Sequence, residues 1–134
     1  MAYNYREGTR RDRPMARFLL PLCEIVSARF GYFPNNCLVN YYPDGNHYIS
    51  FHSDQDMEMK NRTGVTIVSL GSVRTMTLRR IDDPAIRRYY PLQPGSAFFM
   101  EDDVQKEWQH GVLKKAGAGS RISLSFRCLR TGDD

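Results

Sequence analysis

The spacing of apolar positions along this chain changes period once. From Pro14 to Phe30 apolar residues fall at Met15, Phe18, Leu19, Leu22, Ile25, Val26 and Phe30, in the steps of three and four that place side chains on one face of a helix. Gly31 is placed to stop that helix and Pro21 to bend it. Beyond Gly31 the pattern is that of strands. Cys37–Tyr42, Tyr48–His52, Val65–Leu70, Thr75–Arg79, Tyr89–Leu92, Ser96–Met100 and Arg121–Arg127 are separated by Gly, Pro and Asp turns and carry β-branched, aromatic or alternating residues. Residues 57–63 and 116–120 read as loops. A helix followed by many strands predicts a mainly β, α+β chain with the amphipathic helix packed outside a β-sandwich.

The last strand alternates most sharply. Its odd positions read Arg121, Ser123, Ser125, Arg127 and its even ones Ile122, Leu124, Phe126. On a surface sheet the polar side would face water; in a barrel or sandwich whose inner face holds a ligand, it would line the pocket with charge. Periodicity alone does not choose between the two.

His52-Ser53-Asp54 and, far downstream, Trp108-Gln109-His110 bring two imidazoles and a carboxylate. Residues i and i+2 of a strand share a face, so His52 and Asp54 can reach one ion. Two histidines and one carboxylate leave coordination positions open, the facial arrangement of non-haem Fe(II) oxygenases; structural zinc would close its shell with cysteine. Asn40 and Tyr42 also share a strand face. Tyr42-Pro43-Asp44-Gly45 is a good turn, so a hairpin is expected to set Asn40 and Tyr42 beside the strand ending at His52.

In order along the chain, Asn40-x-Tyr42, Asp44-Gly45, His52-x-Asp54, Trp108-Gln109-His110 and Arg121-x5-Arg127 resemble the AlkB family of 2-oxoglutarate- and iron-dependent dioxygenases, from about Tyr3 to Arg127. The resemblance implies a double-stranded β-helix, a jelly-roll-like barrel of two sheets, with Fe(II) and the co-substrates 2-oxoglutarate and O₂ at its mouth. It implies His52, Asp54 and His110 as iron ligands. Arg121, helped by Tyr42, would take the distal carboxylate of 2-oxoglutarate, with Asn40 and Arg127 at its keto-acid end. Ser123 and Ser125 stand where the family often has Asn and Thr, and keep a hydroxyl on the pocket face. The implied reaction hydroxylates a methyl carbon on a base nitrogen; the hemiaminal then falls apart to formaldehyde and the restored base.

At 134 residues the chain has the length of one domain, expected as a short basic arm or substrate lid at 1–13, the helix at 14–30 and a β-barrel core at 37–130. The longest apolar stretch, around Phe18-Leu19-Leu20-Pro21-Leu22, is too short to span a bilayer. No signal peptide or anchor is evident, so no membrane partner is expected. Cys23, Cys37 and Cys128 are odd in number and set among apolar residues, which points to reduced thiols filling the core of a cytoplasmic or nuclear protein; a monomer is expected. His47, of opposite parity to His52, reads as a surface or outer-layer residue.

The net charge of +4 matters less than its placement. Arg6, Arg10, Arg11, Arg13 and Arg17 crowd the first segment beside Tyr3 and Tyr5, and Arg74, Arg79, Arg80, Arg87 and Arg88 form further groups. Arginines interleaved with rings suit phosphates and bases; a solvated basic face is the plain alternative. The resemblance extends to the substrate, alkylated DNA or RNA, and the short lid expected from the roughly 13 residues ahead of the helix points to single strands, since extruding a base from a duplex needs extra probing elements. Tyr5, with Tyr3 and Arg6 beside it, would stack on the base, and Asp56 would accept a hydrogen bond from an exocyclic amino group. The alternatives are a 2-oxoglutarate-dependent hydroxylase of a small molecule or protein, a catalytically inactive nucleic-acid-binding module, and a purely structural β-domain.

Overall fold

In the computed structural model the described residues are 3–4, as main chain only, 15–54 and 63–130. The elements run β1 (Tyr3–Asn4), a 3₁₀ turn (Arg17–Leu19), α1 (Leu20–Phe30), β2 (Asn36–Tyr42), β3 (Ile49–His52), β4 (Val65–Gly71), β5 (Arg74–Arg80), β6 (Arg87–Leu92), β7 (Ala97–Met100), α2 (Asp102–Glu107), β8 (Trp108–Val112) and β9 (Arg121–Arg127).

The strands form two antiparallel sheets, β1-β2-β9-β4-β7 and β3-β8-β5-β6. The expected barrel is not present. Closure requires hydrogen-bonded strands all the way round, and among the described residues β3 pairs only with β8 and β7 only with β4. Both of these edge strands are four residues long, and among the described residues neither reaches the other sheet. The architecture is an open sandwich.

The expected hairpin between the strands of Tyr42 and His52 is also absent. β2 is flanked on both sides, by β1 and β9, so β3 has no free edge there. The chain crosses to the other sheet through residues 43–48, and Asn40 and Tyr42 face His52 across the cavity between sheets rather than along one.

β9 resolves the question its alternation left open. Arg121, Ser123, Ser125 and Arg127 point inward and are buried, while Leu124 and Phe126 point outward and are buried as well. What covers them is α1 with its preceding turn: Leu19, Cys23, Val26, Leu124, Phe126 and Cys128 form one apolar cluster. Burying a side chain such as Phe126 is worth about 1.5–3 kcal/mol. Tyr32 joins this layer, its hydroxyl donating to the Phe126 carbonyl at 2.9 Å and lying 2.7 Å from Thr66 Oγ1. Gly31 ends α1 in the left-handed region, at φ 79°, which only a residue without Cβ adopts cheaply. Pro21 lies in the first turn of α1, where a missing N–H costs nothing, and starts the helix instead of bending it.

A second cluster, including Tyr42, Ile67, Met76, Leu78, Met100 and Val112, fills the space between the sheets at one side of the cavity. Among the described residues no helix is long and apolar enough to cross a membrane.

Candidate metal and co-substrate site

β3 and β8 are in register at Ile49↔Val112 and at His52↔His110. Three steps on β3 thus oppose two on β8, a bulge of one residue. The extra residue reverses the parity of the strand, so that Ile49 packs against the core, Ser50 is exposed and His52 turns toward the other sheet. Gly111 makes room for it: a Cβ there would lie 2.9 Å from the Ile49 carbonyl oxygen and 3.2 Å from the Phe51 nitrogen.

His52 ends its strand, and Asp54 follows in a turn instead of on a continued strand face. That turn is held by Gln105 of α2, whose buried Oε1 accepts the Asp54 main-chain N–H at 2.9 Å. Neither α2 nor Gln105 is marked by any period in the sequence.

The ligand-capable atoms of His52, Asp54 and His110 all lie within 4.8 Å of one another. His52 Nε2 is 3.5 Å from Asp54 Oδ1 and His110 Nε2 is 3.8 Å from Oδ2. His52 Nδ1 sits 2.9 Å from the Ser50 carbonyl, which fixes the proton there and leaves Nε2 as a lone-pair donor. Burial lowers the pKa of His110 to about 4, with the charges of His52 and Arg127 adding to the fall and that of Asp54 opposing it; this imidazole is therefore neutral. Burial would raise the Asp54 carboxyl, but His52, Arg127 and His110 outweigh it and hold it well below the usual carboxylate range. For His52 burial is again the largest influence, downward, and the Asp54 carboxylate and Ser50 carbonyl overcome it to leave the pKa raised. Among the described residues Asp54 Oδ2 is buried without a hydrogen-bond partner, as suits an oxygen that would take a cation. Two imidazoles and a carboxylate with one orphaned oxygen fit a divalent iron.

Beside this group lies a cavity of about 290 Å³ lined by Asn40, Tyr42, Ser123, Ser125 and the two arginines of β9, with His52 and His110 across from them. Arg121 donates through Nη2 to Ser69 Oγ at 2.7 Å, while its Nε and Nη1 are buried with no hydrogen-bond partner among the described residues. Its guanidinium carbon lies 4.9 Å from the Tyr42 ring centroid. Unpaired donors on a buried guanidinium are the fork that a carboxylate fills with two bonds. Arg127 reaches Asp54 Oδ1 at 3.5 Å through Nη2 and keeps Nε unpartnered, as is Asn40 Oδ1. The cavity thus fits a dicarboxylate lying between the metal group and Arg121.

Not every singled-out residue falls at this site. Tyr5, Arg6 and Asp56 lie outside the described residues. Tyr3 is described only through its main chain, in β1, in register with Tyr41 of β2. His47 is half-buried in the 43–48 crossing, with Nδ1 2.9 Å from Asp44 Oδ1. Arg74, grouped by sequence with the surface arginines, is fully buried.

Residues 1–127 match the 2OG-Fe(II) oxygenase superfamily. The chain is 27% identical over 142 residues to the alpha-ketoglutarate-dependent dioxygenase alkB homolog 3 of Rattus norvegicus, covering 96% of this chain and 47% of that protein. It is 29% identical over 136 residues to the DNA oxidative demethylase ALKBH2 of Arabidopsis thaliana, covering 81% of this chain and 43% of that one. The chain therefore spans about half the length of the curated relatives it matches. The solved structure of OsALKBH1 shares the fold, with a TM-score of 0.62 over 81% of this chain and 62% of that one, at 18% identity. With a family match over nearly its whole length, and the ligand group and twin arginines in place, the chain belongs to the AlkB-like dioxygenases of the 2OG-Fe(II) oxygenase superfamily.

Proposed function

We propose that this chain is an Fe(II)- and 2-oxoglutarate-dependent dioxygenase that removes N-methyl and other N-alkyl groups from nucleobases, acting on single-stranded DNA or RNA as a monomer. The observation that carries this reading is the cavity that joins the His52–Asp54–His110 group to the unpartnered donors of Arg121. When bound, iron with 2-oxoglutarate and O₂ supplies an oxidation that yields succinate, CO₂ and a hydroxylated methyl carbon. His52, Asp54 and His110 hold the ion. Arg121 and Tyr42 hold the distal carboxylate and Arg127 and Asn40 the keto-acid end, so that the co-substrate has one orientation. Ser123 and Ser125 offer hydroxyls along the pocket wall. The hemiaminal product breaks down to formaldehyde and the base without help from the protein.

Support for a polyanionic substrate comes from the end of the second sheet that carries the metal group. Arg79 lies over the Phe51 ring at 4.1 Å and Arg87 over the same ring at 5.2 Å; Arg80 and Arg88 lie over Trp108 at 5.4 and 6.0 Å. Arg79 and Arg87 are directly opposite in the ladder, a like-charge pairing that destabilises a sheet. Arg80 pairs with Asp82 at 2.7 Å, whereas Arg79 is bonded to the neutral Gln109 and Arg88 to a carbonyl. Strand alternation puts Arg80, Arg88 and Trp108 on the His110 face of the sheet and Arg79, Arg87 and Phe51 on its other face; cations retained against that repulsion and stacked on rings around this end of the sheet suit phosphates. Tyr5 and Asp56 are proposed to stack on the base and to accept from its amino group.

The test is mass spectrometry of DNA and RNA oligonucleotides carrying 1-methyladenine, 3-methylcytosine or N6-methyladenine, incubated with protein, Fe(II) and 2-oxoglutarate, with succinate measured in parallel. Loss of a methyl group matched by succinate release is expected for at least one lesion. Oxygen-dependent succinate release with every lesion intact would transfer the reading to a hydroxylase of a small molecule or protein. An absence of succinate under all conditions would remove the enzymatic reading.

A further inference from the structure

Arg74 has no part in the chemistry described above, yet it is among the most deeply buried side chains in the molecule. A guanidinium keeps its charge at any ordinary pH, and burying one is costly unless it is well partnered. Among the described residues its hydrogen-bond partners are three main-chain carbonyls and no carboxylate: Nη2 donates to His47 at 2.8 Å and to Leu113 at 2.7 Å, and Nη1 to Asp44 at 3.3 Å. Nε has none. The three carbonyls belong to the crossing from β2 to β3 and to the residue just after β8, so Arg74 ties together the two chain segments at the inner end of the cavity.

The same guanidinium carbon lies 5.4 Å from the Tyr42 ring centroid, and that of Arg121 lies 4.9 Å from it. Tyr42 is thus shared by two buried cations. Arg121 lines the cavity and Arg74 does not. Two positive charges lie next to one ring, the Asp44 carboxylate bears on Arg74, and three buried donors of the two guanidiniums have no hydrogen-bond partner among the described residues; an anion at Arg121 would complete the site.

We propose that Arg74 is a positioning residue for the co-substrate pocket: it fixes Tyr42 against Arg121 and adds a second positive charge behind the ring, making this end of the pocket selective for an acid with a distal carboxylate. The proposal rests on the reading of Arg121 as the seat of that carboxylate. Arg74 acts through Tyr42 and through its field, without touching the acid. The field of a buried charge reaches across such distances because few waters screen it. A residue that merely anchored the loop would affect every ligand of the cavity alike.

The experiment measures binding by calorimetry under argon to the Mn(II)-loaded protein, with two probes of equal chain length: 2-oxoglutarate, and 2-oxopentanoate, which lacks the distal carboxylate. The wild type is expected to prefer the diacid strongly. Arg74→Met is expected to lose about tenfold in affinity for 2-oxoglutarate, as befits one buried charge acting at a distance, with 2-oxopentanoate binding and Mn(II) affinity unchanged. Arg74→Lys, which keeps the charge, is expected to recover most of the loss and gives a second reading if the Met variant does not fold. Equal losses for the two acids in the Met variant, or in the Lys variant if it alone folds, would show a loop anchor only and overturn the proposal, as would an undiminished preference in Arg74→Met. A wild type that binds both acids equally would instead remove the reading of Arg121 on which the proposal stands.

Discussion

Gln105 Oε1 accepts the main-chain N–H of Asp54 at 2.9 Å, joining a six-residue helix to a turn 51 positions earlier in the chain. Gln105 is itself buried, and its Nε2 lies 3.9 Å from Met100 Sδ, so it has little freedom to move. Groups that orient a metal ligand typically contribute about 10–100-fold in metal affinity. Gln105→Leu is therefore expected to bind Mn(II) about tenfold more weakly than wild type, in a titration of the metal-free protein, with the same circular-dichroism spectrum. Unaltered Mn(II) affinity would show that the turn keeps Asp54 in place unaided.

His52→Ala and Asp54→Ala are both expected to abolish turnover, but with different costs in stability. The His52 side chain is 39% exposed and that of Asp54 is 2% exposed. Removing Asp54 strips Arg127 of the carboxylate 3.5 Å away, and a buried group left unsatisfied costs about 1–3 kcal/mol. Asp54→Ala should then melt several degrees below His52→Ala when both are metal-free. Equal melting temperatures would mean that Arg127 is compensated by water in the cavity.

Arg121→Lys is expected to weaken 2-oxoglutarate binding by roughly 10–100-fold, because an ammonium offers a point charge where the guanidinium offers a planar fork. The Ser69 contact at 2.7 Å is also lost. The check is the apparent KM for 2-oxoglutarate at saturating iron, with kcat retained. An unchanged KM would place the acid elsewhere in the cavity.

Burial pushes the Cys37 thiol up to about 12, with Cys23 adding and Arg127 opposing, and burial likewise raises Cys23. A raised pKa keeps the thiol protonated, and the thiolate is the reactive form. Iodoacetamide at about pH 8 should thus leave both cysteines unlabelled in the folded protein and label them in denaturant, as read by peptide mass spectrometry. The sign for stability follows. Below the ordinary thiol pKa both states are protonated and Cys37 contributes no pH dependence. As pH rises from about 9 toward 12 only the unfolded chain ionises, and the folded state loses stability. Cys37 is half-buried, and its rapid labelling in the native protein would show that desolvation does not keep this thiol protonated.

Much of the site was legible because its parts carry charge at strand spacing. The Arg-Ser-Ser-Arg parity of β9 stands out in any reading, as do His52-x-Asp54 and His110. Which way β9 faced was not legible, since most of both its faces is buried, the polar one by the opposite sheet and Leu124 and Phe126 of the apolar one by α1, with only Ile122 exposed. That is a property of layers and not of period. The bulge before His52 was equally hidden, because its signal is Gly111 on a partner strand 59 residues away, recognisable only once the two are adjacent. The expected hairpin at Tyr42-Pro43-Asp44-Gly45 failed for a related reason. The turn residues are present, and Asp44 Oδ1 accepts the Asn46 N–H at 2.9 Å, but a local turn does not decide which sheet receives the next strand. Arg74 shows the limit of composition: in a string of arginines, nothing marks the one that is buried.

β9 is bonded to β2 along all seven of its residues and to β4 along six, whereas β3 is a four-residue edge strand that ends at His52. Opening a central strand requires the sheet to come apart, while an edge can fray alone. Amide hydrogens of Arg121 to Arg127 should accordingly be the last in the chain to exchange with solvent, and those around His52 among the early ones. The proposed seat for the small acid is tied to the global unfolding of the molecule. The edge at His52 is not, and can yield and re-form many times while that seat stays closed.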